Sequence, residues 1–297
     1  MTLLPPPAED QAYVDVSALR AGMIEIPREW VIDTAKPGER INLPALSFLL
    51  RHSKTGETFL FDLGIRKDWQ NISPGAAARV QHMQFAIDVP QDVVDSLRAG
   101  GLAPDDIAHV CISHLHLDHI GDPALFAAST FVVGAGAREV LARGHPHTPD
   151  AVVPADLLPA GRTRFLALAR CPPLGPFAHA LDFFGDGSVF VVDAGAGHAP
   201  GHVNVLARTS PDGAWLLLAG DSAHDRALLR GEAHIARHAV FGCAHVDVEK
   251  AADHIARIRR LMQEEPRVQV IIAHDRPWYD ENNDKNVWFP GGKIPPL

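Results

Sequence analysis

The chain has 297 residues, 46% hydrophobic and 21% charged, a balance that supplies a sizeable core and excludes a largely disordered protein. Its formal net charge of −9 argues against a nucleic-acid partner, which would be bound through clustered Lys and Arg. No apolar run approaches the roughly 20 residues of a membrane span, and Cys111, Cys171 and Cys243 are too few and too scattered for a disulfide framework. Together with an N-terminus that lacks a basic segment followed by an apolar one, these features read as a soluble cytoplasmic protein with a small-molecule substrate, no nucleic acid and no membrane partner. A homodimer is compatible with this reading.

In chain order, residues 1–11 carry three prolines and are expected to be disordered. Leu46–Leu50 and Thr58–Asp62 are β-prone runs flanking Ser53-Lys54-Thr55-Gly56, a hairpin signal, and the second run ends in Asp62-Leu63-Gly64. A short helix is expected between Pro90 and Leu97, closed by Gly100-Gly101, then a strand over His109–Ser113. Thr130–Val133 reads as a strand and Ala137–Ala142 as a helix, while the proline-rich 144–177 reads as a loop-rich insertion over the core. Two hairpins follow, Leu181–Phe184 with Val189–Val192 and Val203–Arg208 with Trp215–Ala219.

From Val248, apolar Ala251, Ile255, Ile258 and Met262 recur at helical spacing behind Asp247 as N-cap, and Pro266 ends the pattern. Arg257, Arg259 and Arg260 fall late in this helix, where cations complement the macrodipole. Val268–Ala273 is a buried strand that delivers His274, and 280–297 is expected to be a surface tail. With no repeat and no linker, 1–297 reads as a single domain.

The chemistry concentrates in His114-Leu115-His116-Leu117-Asp118-His119, which begins at a strand end. Alternation sends His114, His116 and Asp118 to one side, with His119 turned to a neighbouring position. Imidazole and carboxylate suit zinc and related divalent ions. Two such ions about 3.5–4 Å apart can share a hydroxide that attacks a carbonyl or phosphoryl centre.

Ser113-His114-Leu115-His116-Leu117-Asp118-His119 resembles the signature of the metallo-β-lactamase superfamily, and three later segments resemble that family's in order: Pro200-Gly201-His202, Gly220-Asp221 and Ala273-His274-Asp275. The resemblance implies a four-layer αβ/βα sandwich with two divalent ions, zinc being favoured. It also implies that His114, His116 and His202 hold one ion, that Asp118, His119 and His274 hold the other, and that Asp221 bridges them. His198 is expected beside the site or on the surface. Asp62 either orients a metal-bound histidine from behind or is a plain turn residue.

The family's best-known antibiotic-hydrolysing zinc enzymes have Arg where His119 stands and Cys where Asp221 stands. Flavin-linked diiron relatives prefer Glu at His116, and nuclease relatives fit poorly with an acidic chain. The nearest resemblance is to N-acyl homoserine lactone lactonases, which implies metal-hydroxide attack on an apolar lactone or ester, with Asp118 and Asp221 positioning the water. The family's substrate-binding tyrosine is replaced by His224, either a catalytic helper or a surface residue. A thioesterase of glyoxalase II type, a hydrolase of a hydrophobic secondary metabolite and a metal-containing binding protein with little turnover remain alternatives. Cys111 is expected in the core; Trp69, Phe85, Trp278 and Trp288 are either core or pocket.

Overall fold

A computed structural model describes residues 3–297. Seven strands form the first sheet: β1 (Val14–Pro27), β2 (Arg40–His52), β3 (Thr58–Phe61), β4 (Ala86–Asp88), β5 (His109–Cys111), β6 (Thr130–Gly134) and β7 (Thr163–Leu166). Their order is β4-β1-β2-β3-β5-β6-β7. The second sheet holds β8 (Ala180–Asp182), β9 (Val189–Asp193), β10 (Val203–Arg208), β11 (Trp215–Leu218) and β12 (Val268–Ile271), in the order β12-β11-β10-β9-β8. The helices are α1 (Pro74–His82), α2 (Val93–Ala99), α3 (Leu117–Ile120), α4 (Ala137–Ala142), α5 (Arg226–Arg230), α6 (Val248–Glu264) and α7 (Arg276–Asn282).

Three apolar clusters explain why these elements stack in four layers. Strand alternation sends Val16, Phe48 and Phe59 of the first sheet against Val191, Val205 and Leu218 of the second, forming the inter-sheet core that also holds Cys111. The opposite face of the first sheet, with Leu60, Val110 and Phe131, is covered by Leu97 of α2 and Leu141 of α4. Leu206 and Leu217 of the second sheet face Leu228 of α5 and Ile255, Ile258 and Leu261 of α6. This is the αβ/βα sandwich that the family resemblance implied. Each aliphatic side chain so buried contributes about 1.5–3 kcal/mol. Asp247 caps α6 by accepting from the Lys250 amide, as its place before the periodic run implies.

The longest strand, β1, has no counterpart among the sequence expectations. Its register against β2 shifts between Arg20 and Met23. Beyond that bulge Ile24 and Ile26 leave the main cores and join Trp30, Leu43 and Met83 in a fourth cluster. The bulge therefore splits one strand between two environments, which breaks a simple alternating pattern.

Of the stretch 1–11, residues 1 and 2 lie outside the described residues. From there the chain is tied down: the Leu3 and Leu4 amides donate to Glu265, and Arg208 donates to the carbonyls of Pro5 and Pro6. The segment 144–177 contributes β7, which extends the first sheet by pairing in parallel with β6. Residues 286–297 pack along β1, with Val287 and Ile294 buried in the inter-sheet core and the Ile294 amide donating to Val16. No helix among the described residues is long and apolar enough to cross a membrane.

Candidate metal centre

Strands β3 and β5 run parallel, as do β11 and β12, so their C-terminal ends open at one edge of the sandwich. Asp62 follows β3, the histidine cluster follows β5, Asp221 follows β11 and His274 follows β12. The sequence puts each chemical group just past an apolar run, and the fold brings those ends together.

Two donor clusters result. In the first, His114 Nε2 lies 2.9 Å from His116 Nδ1 and 3.0 Å from His198 Nε2, and His198 Nε2 lies 3.4 Å from Asp221 Oδ2. In the second, His274 Nε2 lies 3.2 Å from Asp118 Oδ2, and both it and His119 Nε2 lie 3.3 Å from Asp221 Oδ1. Asp221 thus offers one oxygen to each cluster. The residues fit two divalent ions: convergent imidazole nitrogens cannot all satisfy one another, and His119 Nε2 and Asp221 Oδ1 are buried with no hydrogen-bond partner.

The rings are oriented from behind by oxygens that accept their N–H groups. Asp62 Oδ2 accepts from Ser113 Oγ and His119 Nδ1, both at 2.8 Å, and Oδ1 accepts from the Ser113 amide at 2.6 Å. With its hydroxyl hydrogen given to Asp62, Ser113 Oγ accepts from His114 Nδ1 at 3.0 Å. One carboxylate therefore fixes the orientation of a ring in each cluster, with both Nε2 atoms facing the site. The Pro44 carbonyl does the same for His274, accepting from Nδ1 at 2.8 Å. Asp62 itself sits at φ +62°. Gly64 follows at φ +62°, where a Cβ would come within 2.2 Å of Ala21 Cβ, so the tight Asp-Leu-Gly turn requires glycine there.

The electrostatics divide the histidines. Burial disfavours charge on His274, yet Asp221 and Asp118 overcome it and raise the ring to about 10; His119 is raised for the same reason, with Asp62 adding to the effect. Burial pushes His114, His198 and His202 well down and takes His116 to about 4. Asp118 and Asp221 are lowered despite their burial, because the cationic rings of His119 and His274 face them.

The structure gathers His198, not His202, with His114 and His116. The two histidines flank Ala199-Pro200-Gly201, and Gly201 at φ +74° turns the chain between them. His198 stays on the loop and faces the cluster. His202 starts the run into β10 and is buried against Gly220, where an added Cβ would meet its Nε2 at 2.9 Å. Nothing in the linear pattern distinguishes two histidines four residues apart across such a turn. His224 lies inside, with Nε2 3.1 Å from Asp221 Oδ2, and its ring faces the cavity. His245, on the loop before α6, completes a third group with His198 and His224. It carries no motif, so no sequence signal marked it.

The centre opens into a cavity of about 250 Å³, walled by Ile24, Ile26, Trp30, Leu43, Phe85 and Val152. Of the four aromatic residues singled out from sequence, Phe85 lines it; Trp69 packs against the Trp30 cluster, and Trp278 and Trp288 belong to the inter-sheet core. Burial raises the Cys111 thiol, consistent with an inert core residue.

The sequence profile of the Metallo-beta-lactamase superfamily matches residues 40–274. The chain belongs to that superfamily. It is 34% identical over 235 residues, 74% of its length, to gamma-lactamase FDB1 of Fusarium pseudograminearum (strain CS3096), and the match spans only 56% of that relative. An N-acyl homoserine lactone hydrolase, solved with N-hexanoyl-L-homoserine at its catalytic metal center, superposes with a TM-score of 0.68 at 19% identity over 94% of this chain and 98% of the other. AidC, a dizinc quorum-quenching lactonase, gives 0.60 at 14% identity over 93% and 92%. At these identities the structural likeness is one of fold.

Proposed function

We propose that this chain is a dinuclear metal-dependent hydrolase that opens a lactone or cleaves a carboxylic ester. The observation that carries the reading is the pair of buried donor clusters sharing Asp221 at the floor of an apolar cavity. His114, His116, His198 and Asp221 Oδ2 would hold one ion; Asp118, His119, His274 and Asp221 Oδ1 would hold the other. Imidazole and carboxylate donors favour zinc. The ions would supply Lewis acidity towards a carbonyl and a water acidic enough to attack it.

The chain's own residues account for the rest. Asp118 lines the cavity with its carboxylate held ionised, so it can orient a water by accepting its hydrogen bond. Asp221 is held from two sides by rings of both clusters and cannot swing away. The apolar walls limit access of bulk water and fit a compact substrate, while Arg79 adds one cationic side chain to the lining.

A second reading, opening of a cyclic amide, is favoured by the similarity to a protein named gamma-lactamase. The test is metal analysis of the purified protein combined with rates on lactones, γ-lactams, aryl esters and acyl thioesters, before and after chelation. Two zinc equivalents and chelator-sensitive lactone or ester turnover are expected. Preference for lactams establishes the second reading, and preference for thioesters replaces both. Metal-replete protein that binds a panel member and turns over none is a binding protein.

A further inference from the structure

We propose that His245 is a substrate-binding residue, whose imidazole donates a hydrogen bond to the carbonyl-bearing polar end of a small cyclic substrate. This rests on the hydrolase reading above for the identity of the ligand, but not for the geometry.

Three observations carry it. His245 is 4% exposed and lines the cavity, yet neither of its ring nitrogens has a hydrogen-bond partner. Buried polar atoms are seldom left unpaired, and each such atom is costly unless something arrives to pair it. Second, the ring is held in place. The Val246 amide donates to the His198 carbonyl at 3.2 Å and the Asp247 amide to the Gly197 carbonyl at 2.9 Å, so the loop carrying His245 is stitched to the segment carrying His198. Third, the rings of His198, His224 and His245 form a near-equilateral triangle, with centroids 5.0 to 5.1 Å apart, and one nitrogen of each lies within 4.8 Å of the others. A single small group can touch all three.

The other two members of that triangle are already engaged. His198 presents Nε2 to His114, His116 and Asp221. His224 places Nε2 3.1 Å from an oxygen of Asp221 that can only accept, so a neutral His224 carries its hydrogen there and its Nδ1 can only accept. His245 is the one member of the three with neither ring nitrogen engaged. A neutral imidazole donates through one nitrogen and accepts through the other.

The experiment uses the metal-loaded protein and the variants His245→Leu and His245→Gln. Readouts are kcat and KM on the best lactone or ester, thermal midpoint, metal content, and calorimetric binding of a cyclic ketone of the same ring size, which has the carbonyl but no scissile bond. His245→Leu is expected to weaken ketone binding and kcat/KM by roughly 10–100-fold. His245→Gln, which restores a donor, should recover most of both. Metal content should not change, and the thermal midpoint of His245→Leu should rise, because two orphaned nitrogens leave the interior. A merely structural His245 gives the opposite pattern: a lowered midpoint, with kcat/KM and ketone binding intact in whatever folds. That result overturns the proposal. If the wild type hydrolyses nothing while ketone binding still depends on His245, the hydrolase reading fails and the recognition role stands.

Discussion

Replacing Asp62 by Asn removes a charge from behind the metal centre without changing its shape. The Ser113 amide is a fixed donor, so the oxygen of the substituted side chain must stay on it, and the new NH2 then takes the place of Oδ2 beside Ser113 Oγ and His119 Nδ1. It would donate to His119 Nδ1 and drive that ring's hydrogen onto Nε2, the atom that faces Asp118 and Asp221. Loss of such an orienting partner lowers metal affinity about 10–100-fold, or about 1.4–2.7 kcal/mol. Zinc competition against a chromophoric chelator measures the affinity, and long-range 1H–15N spectra of the histidine rings report the tautomer. Unchanged affinity with His119 still protonated at Nδ1 would refute the argument that Asp62 sets the ring's state.

Three further outcomes are expected. His198→Ala should lose about one zinc equivalent in equilibrium dialysis, whereas His202→Ala should keep both; the reverse would restore the order read from the Pro-Gly-His motif. His254, held down to about 4 by burial and by Arg257, accepts a proton more readily when unfolded, at about 6.5. Its contribution to stability is therefore intact above pH 6.5 and lost as pH falls through about 4. The window is worth on the order of 3 kcal/mol, and His254→Gln should shrink the difference between urea midpoints at pH 7 and pH 4.5. Gly64→Ala should destabilise the fold by about 2–3 kcal/mol or more, read as a lower thermal midpoint, because its Cβ would overlap Ala21 in a left-handed turn.

Several ladder strands and α6 were legible because they carry clean periodicities bounded by turn residues, whereas the four-layer arrangement was implied by the resemblance of the motifs to a known family. Six of the seven residues that the resemblance implied as ligands, all but His202, stand in the two clusters. They follow apolar strands, and a strand end fixes where the next side chain goes. What escaped has physical causes. Strand β1 changes environment at its bulge, so its alternation is broken midway. The choice between His198 and His202 depends on the path of a glycine turn, which spacing alone does not encode. His245 lies on an irregular loop whose position is set by bonds to Gly197 and His198, contacts across nearly fifty residues of chain.

The buried atoms without partners trace the site more sharply than any motif. Outside the centre they are scattered; within it, His119, His198, His202, Asp221, His224 and His245 all carry at least one. A folded chain tolerates such a concentration only when the rest of the sandwich supplies a surplus of stability, here the three apolar clusters that enclose both sheets. The carboxylates set the division of labour within that deficit. His119 and His274 stand against Asp221 and Asp118 and favour charge, so an ion binding there must displace protons. His114, His116 and His198 are pressed towards neutrality by burial and already present free lone pairs. His245 stands apart from both clusters, beside His198 and His224, with its ring on the cavity.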